Sequence, residues 1–149
     1  MRAIVQLVSA ASVTVDKKVI GSIGDGLLTL IGVSKDDSQT DADFLAKKIV
    51  GLRIFPDQDE LMNRSLLDIK GQMLIVSQFT LYGDCRKGRR PSYNDAAAPE
   101  QANALYEYFI DAVNKLGIQT QTGQFQALMQ VKLINEGPVT IMIDSKKQF

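Results

Sequence analysis

Alternating and β-branched apolar positions open the chain. Ala3-Ile4-Val5-Gln6-Leu7-Val8 and then Ser12-Val13-Thr14-Val15 predict two successive strands. Asp16-Lys17-Lys18 predicts a turn, from which the chain returns through Val19-Ile20 to Gly24-Asp25-Gly26. Leu27-Leu28-Thr29-Leu30-Ile31-Gly32-Val33 is a continuous apolar run bounded by glycine, the pattern of a strand buried on both faces. The opening quarter therefore predicts a meander. Polar residues 34–40 offer Ser38 and Thr40 as N-caps, and Ala42, Leu45, Ile49 and Leu52 then recur at helical spacing with Lys47-Lys48 outward. Leu52-Arg53-Ile54-Phe55 predicts a short strand halted by Pro56, and residues 57–71 carry no clear pattern. The strongest strand signal is Met73-Leu74-Ile75-Val76-Ser77-Gln78-Phe79-Thr80-Leu81.

A long loop over 83–98 leads to Pro99, well suited to the first turn of a second helix. Ala102, Leu105, Tyr106, Phe109, Val113 and Leu116 form its core stripe, and Gly117 predicts its end. After a short strand or turn at 119–123, Met129, Val131 and Leu133 alternate with Gln130 and Lys132. Val139-Thr140-Ile141-Met142-Ile143 reads as a further strand, so Asn135-Glu136-Gly137-Pro138 between them predicts a hairpin turn. A Gly-Pro pair also presents bare carbonyls without side chains and tolerates a cis peptide, so the turn is either ordinary or a backbone surface for a ligand. About eight strands and two helices predict a single α+β domain over 1–149: a mixed, mostly antiparallel, barrel-like sheet with two main helices.

Composition narrows the chemistry. Seventeen basic residues balance seventeen acidic ones, so any nucleic-acid contact must come from a local cluster. The single cysteine, Cys85, excludes an internal disulfide and suits a reducing compartment. The start lacks the apolar core of a signal peptide, and no run nears the roughly 18 apolar residues of a membrane span; a cytoplasmic protein is expected. There is no histidine, which removes Ser-His-Asp and Cys-His machinery and the commonest metal ligand. Neither metal nor cofactor is expected. Any catalysis must use backbone groups, hydroxyls, carboxylates, lysine or the substrate itself.

Three stretches could carry function. Ser77-Gln78-Phe79-Thr80 ends the strongest strand, where hydroxyls and N–H groups become available, unless Phe79 simply packs in the core. Arg86-Lys87-Gly88-Arg89-Arg90 concentrates four cations, either on phosphates or on a solvated loop. Phe125 and Met129 could grip a base or fill the core. The glycines at 21–26 lack the lysine and the following helix of a phosphate-binding loop.

Taken together, Ser77-Gln78-Phe79-Thr80-Leu81 and Asn135-Glu136-Gly137-Pro138-Val139-Thr140 resemble the signature pair of the D-aminoacyl-tRNA deacylases. Colinear likeness extends through Ala11-Ser12-Val13-Thr14-Val15, Arg53-Ile54-Phe55, Arg90-Pro91-Ser92-Tyr93 and Thr120-Gln121-Thr122-Gly123. The resemblance implies a homodimeric esterase that clears D-amino acids, and mischarged glycine, from the 3′ end of tRNA, with its active site at the subunit interface and neither membrane nor DNA as partner. It implies a cis Gly137-Pro138 that enters the neighbouring subunit's site as a chiral filter. Ser77, Gln78, Phe79 and Thr80 would line the ester pocket, Phe125 and Met129 the terminal adenosine, and Arg86, Lys87, Arg89 and Arg90 the tRNA backbone. The alternative is a non-catalytic tRNA-binding module built on 86–90. Two departures from the family pattern stand out: Leu7 replaces a basic residue after Gln6, and Leu128 replaces an acidic one.

Overall fold

The computed structural model describes residues 1–149, with eight strands, two α-helices and one 3-10 turn. Strand β1 (Arg2–Val15) runs unbroken through both stretches that the sequence divides. Ser9-Ala10 interrupts the β-branched pattern, but the last strand, β8 (Gln130–Asp144), pairs with β1 from Arg2 to Thr14 and keeps it extended. Asp16 and Lys17 then take positive φ values of 47° and 64°, the handedness that suits a tight hairpin.

The return arm comprises β2 (Lys18–Ile23) and β3 (Gly26–Gly32). Ala11 lies opposite Ile23 and Val8 opposite Gly26, so both segments keep one register along β1. The predicted meander is instead one long hairpin, interrupted at Gly24-Asp25. Strands β6 (Gln72–Ser77) and β7 (Gln119–Thr122) add in parallel beyond β3. The sheet curls until β2 nears β7: a Cβ at Gly21 would lie 2.7 Å from the Thr122 carbonyl oxygen. Only glycine permits that approach. The α+β, barrel-like expectation agrees with this arrangement.

Both faces of the sheet are covered, because alternate residues point to opposite sides. Inside the curl lie Val8, Val13, Ile23, Leu28, Leu74 and Val76. On the outer face Val5, Leu27, Ile31, Met73 and Ile75 meet α1 (Gln39–Val50) and α2 (Pro99–Lys115) through Leu45, Ile49, Leu105 and Phe109. Ser38 caps α1: the Asp41 carboxylate accepts its N–H at 2.9 Å and its hydroxyl at 3.0 Å.

Three predicted elements differ. The strand over 52–55 shrinks to β4 (Phe55–Pro56), which pairs with β5 (Met62–Arg64) inside the segment that shows no sequence pattern. The long strand over 73–81 stops at Ser77, because its neighbours stop: Ile31 opposite Ser77 is the last pair with β3, and Thr122 opposite Ile75 the last with β7. The next residues, Phe79–Tyr82, fold into the 3-10 turn. Finally, Gly137-Pro138 does not join a hairpin. Both flanks belong to β8 and both pair with β1; Gln6 faces Thr140 and Val8 faces Asn135, so Leu7 alone stands opposite residues 136–139.

One buried polar atom has no partner, the Thr29 hydroxyl in the middle of β3. Burying such a group unpaired costs about 1–3 kcal/mol. Thr29→Val, which keeps the shape, is expected to raise stability by about 1 kcal/mol. Urea unfolding at an unchanged m-value would register it as a higher midpoint, and a lower midpoint would show that the hydroxyl is satisfied.

Candidate active site

The turn that follows β6 is held from three directions. The Gln78 N–H donates to the Ile31 carbonyl at 2.7 Å, which fastens it to β3. The Arg2 Nη1 donates to the Leu81 carbonyl at 3.0 Å, and its guanidinium lies 4.5 Å above the Tyr82 ring. The Tyr82 hydroxyl donates to the buried Asp37 carboxylate at 3.4 Å; burial and that neighbouring charge push the phenol's pKa up, so it stays a donor. The Gln78 N–H is thereby occupied. The N–H groups of Phe79 and Thr80 open the turn and have no partner within it, so they are available to an incoming oxygen.

Phe79 and Thr80, the first two residues of this turn, face outward, while Tyr82 is buried. Phe79 is 58% exposed and meets the edge of Tyr93 at 5.0 Å, which overturns the reading of Phe79 as a core residue. The Gln78 carboxamide Nε2 donates to the Thr80 hydroxyl in a short contact. No carboxylate or amine bonds Thr80, and a neutral carboxamide is too weak a base to remove the proton of a hydroxyl.

Beside the turn is a cleft of about 550 Å³, in the size range of nucleoside-like ligands. Ser77, Gln78 and Phe79 line it together with Phe125, Gln126, Ala127 and Met129, so folding unites two of the stretches singled out in the sequence. Helix α2 supplies Pro99, Ala102 and Tyr106. The Tyr106 hydroxyl donates to the Ile75 carbonyl at 2.7 Å, and the Gly123 N–H reaches the same oxygen at 3.0 Å. Tyr106 thus ties the end of β6 to the segment that carries Phe125, whose ring centroid is 6.2 Å away. Burial drives the pKa of Tyr106 upward, so this phenol is a fixed donor and not a base. No Asp, Glu, Lys or Arg lines the cleft. Leu128 is 93% exposed and outside the lining, so its replacement of an acidic residue leaves the cleft wall unchanged.

Other predicted residues lie elsewhere. Thr80 adjoins the cleft without lining it, and Gly137, Pro138 and the basic loop are outside it. Gly137 and Pro138 are exposed, joined by a cis peptide, and Gly137 has φ of 101°, a conformation that favours glycine. The basic loop is pinched at its base, where Asp84 and Ser92 exchange backbone bonds of 2.8 and 3.0 Å. Arg86 folds back on Asp84 with bonds of 2.9 and 2.7 Å, which hold that carboxyl at about 2. Arg86 remains largely exposed in this ion pair. Lys87, Arg89 and Arg90 stay exposed and unpaired. Tyr93, just past the loop, links its base to Phe79. The sequence reading passed over Arg2, the Tyr106 hydroxyl and the Asn135 side chain. Each acts on a backbone atom distant in sequence, and no local pattern signals that.

Tyr106→Phe removes a buried donor while leaving the Ile75 carbonyl bonded to Gly123. The expected loss is about 1 kcal/mol of stability by urea unfolding. An unchanged midpoint would show that the hydroxyl does not fasten the cleft.

A family profile described as D-Tyr-tRNA(Tyr) deacylase matches residues 4–144. Proteins named D-aminoacyl-tRNA deacylase are similar along the whole of both chains: one from Thermosipho melanesiensis is 59% identical over 150 residues, and one from Koribacter versatilis 56% over 149. Among solved structures, c-Myc DNA Unwinding Element Binding Protein superposes with a TM-score of 0.91 at 38% identity, covering 97% of this chain and 98% of that one. A probable eukaryotic D-amino acid tRNA deacylase superposes with a TM-score of 0.83 at 20% identity, covering 95% and 97%, a likeness of fold alone. With a profile spanning nearly its full length and relatives above half identity, this chain belongs to the D-aminoacyl-tRNA deacylase family.

Proposed function

We propose that this protein hydrolyses the ester joining a D-amino acid, or mischarged glycine, to the 3′ end of tRNA, releasing the free amino acid and the tRNA. The observation that carries the reading is the cleft itself: apolar walls, a hydroxyl and amides at its rim, and no charged side chain in its lining. Such a site has no side-chain base to activate a nucleophile against an unreactive bond. It suits an ester that is already activated, whose leaving ribose oxygen sits beside a vicinal hydroxyl able to relay a proton.

The terminal adenosine lies against Phe125 and Met129, and the ester carbonyl meets the turn at Ser77, Gln78, Phe79 and Thr80. Water adds to the carbonyl carbon, and the developing oxyanion is met by the N–H groups of Phe79 and Thr80. Removing one such donor typically costs about 3 kcal/mol in the transition state. The proton that the attacking water loses passes through the vicinal ribose hydroxyl to the departing ribose oxygen as the acyl–oxygen bond breaks. Thr80, bonded to a carboxamide, positions the ester and does not attack it.

Gly137 and Pro138 stand exposed and away from their own chain's cleft, so in this reading they serve the cleft of a second copy. Strand β8, paired only on its β1 side, with Ile134 and Met142 exposed, supports a homodimer whose sites lie at the interface. The Gly137 and Pro138 carbonyls hold the substrate ammonium. An L side chain then strikes backbone, a D side chain points outward, and glycine offers nothing to exclude. Lys87, Arg89 and Arg90 meet tRNA phosphates in a salt-dependent way. Residues 1–149 act as one deacylase domain in the cytoplasm, without cofactor or DNA; no helix is long and apolar enough to cross a membrane. The non-catalytic alternative rests on the basic loop alone and leaves the cleft without a role.

Deacylation of D-tyrosyl-tRNA by purified protein tests the reading. With a 2′-deoxy terminal adenosine, the rate is expected to fall by about 100-fold or more, the scale of a lost proton relay. Thr80→Ala is expected to stay within about tenfold of wild type, one lost hydrogen bond's worth. A dead Thr80→Ala with near-normal deoxy rates would make Thr80 the nucleophile. In a second experiment, Gly137→Ala is expected to lower kcat/KM by about tenfold, because a Cβ there would sit 2.9 Å from the Val139 side chain at a φ of 101°. Arg89→Ala and Arg90→Ala are expected to raise KM only. The reverse ranking would favour the binding module.

A further inference from the structure

The excursion at residues 136–139 stands opposite a single residue of β1, and Leu7, which faces it, has a hydrocarbon side chain with no polar group to hold a loop. The Asn135 side chain takes that task. Its Nδ2 donates to the Leu7 carbonyl at 2.8 Å and to the Val139 carbonyl at 3.0 Å, bridging the neighbouring strand and the far end of the excursion. Its Oδ1 accepts the Thr140 hydroxyl at 3.3 Å, and the Thr140 oxygen accepts from the Gln6 carboxamide at 3.3 Å. Both amide hydrogens and the amide oxygen are therefore engaged. An ionised aspartate of the same shape offers only acceptors and would face two carbonyl oxygens. Leu7 is 9% exposed and Asn135 half-buried, so water does not freely replace these bonds.

We propose that Asn135 is the positioning residue that sets the height and tilt of Gly137-Pro138, and through them the preference for D over L substrates. The proposal rests on the reading of those two residues as the excluding wall. The hydrogen bonds of the Asn135 latch go to Leu7, Val139 and Thr140 at the ends of the excursion, so it acts through the placement of Gly137-Pro138 and not on the reacting bond itself.

The test is the ratio of kcat/KM for D-tyrosyl-tRNA over L-tyrosyl-tRNA, measured for wild type and Asn135→Asp, with thermal unfolding to confirm that the variant is folded. The expected ratio for Asn135→Asp is lower by about tenfold or more, the scale of losing hydrogen bonds to half-buried carbonyls. A folded Asn135→Asp with the wild-type ratio overturns the proposal. Should Asn135→Asp fail to fold, Thr140→Val decides: it deletes only the hydroxyl that orients the amide, a fall of about threefold supports the latch, and no change overturns it. A wild-type protein without D preference is a different outcome: it overturns the wall reading on which the latch depends.

Discussion

Strand β1 is occupied on both edges, and everything with a candidate role is referenced to it. One edge carries β8 from Arg2 to Thr14; the other carries the return arm of the opening hairpin. Pairing on both sides holds β1 in place, although its ladders break register near Leu7 and Ser9 on the β8 edge and at Val13-Thr14 on the other. From its start, Arg2 reaches the Leu81 carbonyl and steadies the turn that borders the cleft. Five residues on, Leu7 faces the Gly-Pro excursion. The turn beside the cleft and the Gly-Pro excursion, to which the proposed function gives ester binding and discrimination, are thus both fastened to one strand.

The cleft has no formal charge in its walls, and that shapes its chemistry. In apolar surroundings a backbone N–H exerts more force on a developing oxyanion than it would in water, and it needs no reorganisation as the reaction proceeds. The missing histidine is no handicap to the proposed reaction, in which the substrate's own hydroxyl relays the proton. The side chains at the rim orient: Gln78 fixes Thr80, Tyr106 fixes Ile75, and neither can act as a base as it is bonded here. Selectivity by backbone exclusion has the same economy, since a wall without side chains rejects by handedness and ignores what the accepted side chain is.

Cations are kept apart from this neutral centre. Arg86 is paired with Asp84, which leaves Lys87, Arg89 and Arg90 as the loop's free charges. The Phe79–Tyr93 contact ties that loop to the cleft's edge. In the proposed function, a polyanion at the loop and an ester at the turn would be two ends of one ligand.

Local pattern determined much of this protein. Periodicity located both helices and the doubly buried β3, Ser38 and Pro99 marked the helix starts, and the absent histidine excluded whole classes of mechanism. The Ser77 stretch was legible as a candidate site because it ends the strongest strand signal, Gly137-Pro138 because it offers backbone without side chains, and the two as a pair through the family resemblance. Where strands end was not legible, because an end is set by the neighbour: β6 stops where β3 and β7 stop, and β1 persists through Ser9-Ala10 because β8 accompanies it. The Gly-Pro stretch looks like a hairpin turn to any local rule. Only the register against β1 reveals it as an excursion from one continuous strand, closed by the Asn135 amide across 128 positions of sequence. Hydrogen bonds that long in sequence leave no periodic trace, so the chain's tertiary pairing alone decided how its most telling residues are held.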